Sequence, residues 1–102
     1  MALEKKYLED SSLCKVTFSL TKEAARSAKT VHLVGEFNNW DEKATSMKKT
    51  KDGSFSVILE LETGREYQFR YLIDGKIWEN DWNADKYVLT HFGDCNNSVV
   101  IV

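Results

Sequence analysis

The stretch Phe55-Ser-Val-Ile-Leu-Glu-Leu61, followed by Glu62-Thr-Gly-Arg-Glu66 and then by Tyr67-Gln-Phe-Arg-Tyr-Leu-Ile73, carries two rows of alternating apolar residues. Phe55, Val57, Leu59 and Leu61 fall on one side of an extended chain, and Tyr67, Phe69, Tyr71 and Ile73 repeat the pattern. A period of two marks a strand with one buried face, because successive side chains of a strand point to opposite sides. The polar break at 62–65, with its glycine, reads as the turn of an antiparallel hairpin. Asp52-Gly53 and Asp74-Gly75 on either side are further turn signals, since aspartate and glycine tolerate a positive φ.

Working outward, the segment from Leu13 to Leu20 alternates in the same way, with Cys14, Val16, Phe18 and Leu20 on one side. Val31 to Phe37 reads as another strand, in which Gly35 signals a bulge or a close backbone approach. Thr21 to Ala28 has helical propensity but only alanine to bury, so it reads as a turn or short helix. Short strands are expected around Lys76 to Trp78 and from Ser98 to Val102. Residues 1–12 are polar and read as a tail or short helical turn, leaving 13–102 as the folded domain. Several short strands at near-regular spacing with almost no helix predict an all-β, immunoglobulin-like β-sandwich of two antiparallel sheets. Phe18, Leu33, Phe55, Val57, Leu59, Phe69 and Tyr71 are its expected core.

With 102 residues the chain has room for one domain, far short of the roughly 250 of a TIM barrel. A formal net charge of −2 exerts no long-range pull on polyanions, so nucleic acid is not an expected partner. The cluster Lys43, Lys48, Lys49 and Lys51 reads as a solvated loop. No apolar run approaches the ~20 residues of a membrane span, and the first residues lack a signal-peptide core, so a cytoplasmic protein is expected. Cys14 and Cys95 have no metal-ligand spacing and are expected to be small buried side chains; a disulfide joining the first and last strands is the alternative. His32 and His91 show no ligand spacing either, so neither a metal site nor a cofactor is expected. Catalysis needs an acid and base, or a nucleophile and its base, across a cleft. None of the 16 acidic residues has motif support for that, and no enzyme activity is expected.

Three tryptophans are many for so small a domain. Trp40 follows two asparagines in a loop, and Trp78 sits just beyond the Asp74-Gly75 turn, positions that favour exposure. A flat indole suits sugars because one face of a pyranose presents C–H groups that pack on the ring, while rim hydroxyls reach polar side chains. The competing reading makes Trp40, Trp78 and above all Trp82 lids on the ends of the sandwich.

Three blocks then carry a resemblance: Val31-His-Leu-Val-Gly-Glu-Phe-Asn-Asn-Trp-Asp41, Tyr67-Gln-Phe-Arg-Tyr-Leu-Ile-Asp-Gly75 with Trp78 after it, and Asn96-Asn-Ser-Val-Val-Ile-Val102. In this order they resemble the family 48 carbohydrate-binding modules, which include the early-set domains of isoamylases and glycogen branching enzymes and the glycogen-binding domain of the AMP-activated protein kinase β subunit. The resemblance covers about Val16 to Val102. It implies a non-catalytic module that binds α-glucan, as glycogen, starch or maltooligosaccharide, with Trp40 and Trp78 as the sugar platform. It further implies that Arg70 takes the place of a basic residue bonding glucose hydroxyls, that Asn96 completes the polar set, and that Phe92 and Asp94 stand where the family has an aliphatic residue and a threonine. Arginine for lysine, the bulk of Phe92, the charge of Asp94 and an additional residue, Ile77, before Trp78 are departures from the family pattern. For Arg70 an ion pair with Glu60 is the alternative role, and for Asn96 a place in the turn before the last strand. The rival function is a protein-interaction module of the same fold that docks a glucan-metabolising enzyme or kinase.

Overall fold

The computed structural model describes residues 3–9, 11–89 and 96–102. The site candidates Phe92 and Asp94, together with His91 and Cys95, lie outside the described residues. The strands are β1 (Glu4–Tyr7), β2 (Leu13–Leu20), β3 (Val31–Gly35), β4 (Lys48–Lys49), β5 (Phe55–Glu62), β6 (Glu66–Ile73), β7 (Ile77–Glu79), β8 (Lys86–Leu89) and β9 (Asn96–Ile101). One short helix, α1 (Lys22–Ala25), and a 3-10 turn at Glu36–Asn38 accompany them. Thr21 caps α1, accepting from the Ala24 N–H at 3.2 Å, and Ala24 and Ala25 are its buried residues.

Two antiparallel sheets result, one ordered β1-β2-β5-β4 and the other β3-β6-β9-β8, with β7 pairing to β6 beyond the end of β9. The expected sandwich is therefore present. Its core joins Cys14, Val16, Phe18 and Leu20 of β2 to Val31, Leu33, Phe69, Tyr71, Ile73 and Val100 of the other sheet. Phe18 meets Phe69 edge-on at 5.1 Å between ring centroids, and Phe69 meets Tyr71 likewise at 5.7 Å. Val57 and Leu59 are only partly buried, though both pack against the core.

The expected hairpin across 55–73 is not formed. β5 pairs with β2 and β4, β6 pairs with β3, β7 and β9, and the two strands face each other across the core. Residues 62–65 make an arch between sheets. A hairpin and an arch produce the same alternation, since both put the apolar rows against the core. The difference lies in where the arch's backbone finds partners: Thr63 N–H donates to the Ser12 carbonyl and Gly64 N–H to the Val102 carbonyl, both at 2.8 Å. Gly64 takes a φ of 76°, and the Tyr67 hydroxyl donates to the Glu62 carbonyl at 3.2 Å. A tyrosine bonding back a few residues in this way fixes the same kind of corner in immunoglobulin-like sandwiches.

Residues read as a polar tail contain β1. It lies along β2 from Glu4 opposite Thr17 to Tyr7 opposite Cys14, and Lys5 forms a 2.6 Å ion pair with Asp85. Charged side chains suit an edge strand, where they discourage pairing with another chain.

Both anticipated Asp-Gly turns are built around the aspartate. Asp52 Oδ1 accepts from the Ser54 N–H at 3.0 Å and the Ser54 hydroxyl at 2.7 Å, and from the Thr50 hydroxyl, which together hold its carboxyl at about 2. Asp74 accepts from the Thr30 and Lys29 N–H groups, at 3.0 and 2.8 Å, and these bonds lower its pKa as well. A carboxyl depressed in the folded state contributes stability above its ordinary value of 3.8 and loses that contribution as pH falls through the folded value. Stability measured by urea denaturation should therefore decline between about pH 4 and pH 2, and the decline should be shallower in an Asp52→Asn, Asp74→Asn variant.

Candidate functional site

The Gly35-Glu-Phe-Asn-Asn-Trp40 block can be read atom by atom. At Gly35 a Cβ would lie 2.5 Å from the Gln68 carbonyl oxygen and 2.8 Å from Phe69 Cβ, so only glycine fits between β3 and β6. The backbone there is extended, and what glycine supplies is space. Next, the Glu36 carboxylate accepts from the Gln68 N–H at 2.7 Å, and Phe37 turns inward against Phe18 at 5.5 Å. Asn38 then ties the loop together. Its Oδ1 accepts from the Gly35 N–H at 3.0 Å, and its Nδ2 donates to the Leu33 carbonyl at 2.8 Å and to the Thr45 hydroxyl at 3.1 Å. Asn39 and Trp40 follow with φ of 57° and 58°. Asparagine adopts this left-handed conformation readily and tryptophan does not, so Trp40 is held there by its surroundings, including a 2.8 Å bond from its N–H to the Gly35 carbonyl. Its indole is left 38% exposed.

Trp78 reaches the surface by a different device. In the β6–β7 hairpin Ile73 opposes Ile77 and Leu72 opposes Trp78, so the turn holds residues 74–76, with Asp74 and Gly75 at φ of 53° and 67°. Ile77, the additional residue, lies in β7 opposite Ile73 and not in the turn. Register then puts Trp78 on the outer face of the sheet with Leu72 and His32, and strand alternation puts Arg70 on the same face. Trp78 is 42% exposed.

Arg70 lies along β6 between the foot of the Trp40 loop and Trp78. Its Nε donates to Asn97 Oδ1 at 2.6 Å, and Asn97 Nδ2 donates to Gln68 Oε1 at 3.0 Å. Glu60 is not its partner, because Glu60 sits in the other sheet opposite Lys15. Among the described residues nothing accepts from the two terminal amino groups of Arg70, which leaves four N–H donors for a ligand. Asn96 begins β9 and is exposed; alternation gives it the parity of Ser98, while its carbonyl accepts from Asn80 Nδ2 at 2.8 Å. The side chain that reaches Arg70 is thus Asn97, which the sequence reading passed over.

Beneath these groups the outer face is apolar. Val34, Leu72 and Val99 point away from the sandwich core, yet they are 0%, 2% and 1% exposed. Leu72 is flanked in the register by His32 on one side and Trp78 on the other. The sequence held a signal for this second layer in the doublets Leu33-Val34, Leu72-Ile73 and Val99-Val100, because a continuous apolar run marks a strand covered on both faces.

Trp82 is the most exposed indole at 57%, on the connection between β7 and β8. Beside it Asp81 is wholly buried, with Oδ2 accepting from the Tyr71 hydroxyl at 2.7 Å, Oδ1 from the Asn83 N–H at 2.8 Å, and its own N–H donating to Ser98 Oγ at 2.8 Å. Burial, and then the Asp81 carboxylate, push the Tyr71 phenol well above its ordinary range and keep it a donor.

Residues 19–102 match the family described as the glycogen recognition site of AMP-activated protein kinase. The chain belongs to this family. It is a non-catalytic glycan-binding module, and Trp40, Trp78 and Trp82 are exposed. It is also 33% identical, over 63 residues, to the 1,4-alpha-glucan branching enzyme GlgB of Butyrivibrio fibrisolvens, which amounts to 62% of this chain and 10% of that enzyme. The chain thus spans about a tenth of that relative's length. Among the described residues no helix is long and apolar enough to cross a membrane, and no group of three or more His, Cys, Asp or Glu could hold a metal ion.

The packing around the Trp40 loop has measurable consequences. Gly35→Ala should lower stability by about 3 kcal/mol in urea denaturation, because the overlap is with backbone and Cβ atoms that cannot yield cheaply. Asn38→Ala should cost about 2 kcal/mol and shift the emission of Trp40, since three bonds that fix the loop are lost.

Proposed function

We propose that the module binds α-glucan of the glycogen, starch or maltooligosaccharide type, with Trp40 and Trp78 stacking on glucose rings and Arg70 hydrogen-bonding their hydroxyls between them. The observation that carries this reading is Arg70, half-buried and fixed through Nε by Asn97, with no acceptor among the described residues for its terminal amino groups, on the strand between two exposed indoles. The foot of the Trp40 loop and Trp78 are separated by about three residues along β6 and two strand spacings across it, roughly 14 Å in all. That separation suits a curved chain of a few units whose rings meet differently angled indoles, more than a flat β-1,4 chain. Asn96 at the start of β9, and Phe92 and Asp94 outside the described residues, complete the proposed contact set by resemblance.

If each stack removes about 100 Å² of apolar surface at about 25 cal/mol/Å², the two supply roughly 5 kcal/mol before the cost of association. Affinity in the micromolar to millimolar range follows. Such weak binding suits a polymer with many equivalent chain ends. The family description and the match to a branching enzyme further support a role in which the module holds a glucan-metabolising enzyme or kinase on its polymer.

Titration with maltooligosaccharides, followed by tryptophan fluorescence, tests this. Trp40→Ala and Trp78→Ala should each weaken binding by about 1.5–3 kcal/mol with little change in thermal stability, and Arg70→Ala by less, because exposed polar groups regain water when sugar leaves. Severe destabilisation by both tryptophan variants, with no binding by the wild type, would sink the proposal.

A further inference from the structure

We propose that Trp82 is a third sugar-stacking platform, which extends the site beyond Trp78 and gives it a preference for longer α-glucan chains. This rests on the α-glucan reading above and adds a subsite to it. Three observations support the extension. The indole of Trp82 is 57% exposed, more than either Trp40 or Trp78, so a flat apolar surface is already presented to solvent. It is also four residues beyond Trp78, and four residues of chain reach at most about 14 Å, within the span of one bound oligosaccharide.

The third observation is the anchoring of the segment that carries it. Asn80 Oδ1 accepts from Ser98 Oγ at 2.8 Å and Asn80 Nδ2 donates to the Asn96 carbonyl at 2.8 Å. Asp81 is bound to Ser98, Tyr71 and Asn83, and its carbonyl accepts from the Tyr87 hydroxyl. These contacts dock the residues before Trp82 on the core-facing Tyr71 and Ser98 and on the Asn96 carbonyl, next along β9 to Asn97, which holds Arg70 on the outer face. A buried carboxylate is costly unless its bonds are made, and here those bonds immobilise the backbone on both sides of Trp82. The indole is thus held outward by a fixed segment, and stacking on it orders little else.

Isothermal titration of the wild type, Trp82→Ala and Trp82→Phe with maltotriose and maltoheptaose tests the assignment, with thermal melts to check folding. For Trp82→Ala the dissociation constant for maltoheptaose should rise about tenfold, while that for maltotriose changes less than about twofold. Trp82→Phe, which keeps an aromatic face, should recover most of the loss. Independently of any variant, maltoheptaose but not maltotriose should protect Trp82 of the wild type from oxidation by N-bromosuccinimide, read by peptide mass spectrometry. Wild-type affinities in Trp82→Ala, equal losses for both sugars, or Trp82 left unprotected would overturn the subsite while leaving the Trp40 and Trp78 reading intact. Failure of the wild type to bind either sugar would overturn both.

Discussion

The Trp40 loop, one edge of the proposed sugar-binding surface, depends on a side chain that is absent. Because Gly35 has no Cβ, β3 can close against the carbonyl of Gln68 and the Cβ of Phe69, and the chain is then forced to turn where it touches them. The turn packs Phe37 into the aromatic cluster and leaves Trp40 exposed. One steric constraint thereby couples the quality of the core to the position of an exposed ring. Asn38 completes the coupling with three side-chain bonds, so the loop is rigid although it is polar and at the surface.

The five-stranded sheet is used on both faces. Its inner face supplies aromatic and aliphatic residues to the sandwich, and its outer face carries a thin buried aliphatic layer of Val34, Leu72 and Val99 on the side of Arg70 and Trp78. The proposed binding surface needs little reorganisation at its polar member, since Arg70 is already clamped by Asn97.

Much of this could be read from the chain. The alternation at Cys14–Leu20 and Tyr67–Ile73 reports burial directly, and it placed Arg70 on the face opposite Tyr67, Phe69 and Tyr71, where it lies. The partner strand of each row could not be read, because alternation records which side faces the core and carries nothing about which neighbour supplies the hydrogen bonds. That is why the arch at 62–65 passed for a hairpin. Similarly, that Asn97 faces Arg70 follows from the register between β6 and β9, in which Phe69 opposes Ser98, and alternation alone does not give that register. The strand at Glu4–Tyr7 was hidden for the opposite reason, since an edge strand rich in lysine and glutamate lacks the apolar rhythm that reveals a central one.

The arch carries a kinetic consequence. With 55–73 crossing between sheets, the longest pairing in the molecule is β2 with β5, in which Leu20 meets Phe55 and Leu13 meets Glu62 only after α1, β3 and β4 have been enclosed. Closing so large a loop costs chain entropy before any contact rewards it, so this topology belongs with the slow-folding sandwiches of high contact order. Among the pairs that could form early are the short hairpin of β6 with β7 and the pairing of β1 with β2, which are local in sequence. The first of these carries Trp78 and Arg70, so an element of the proposed recognition surface is among those with the least loop entropy to overcome during assembly.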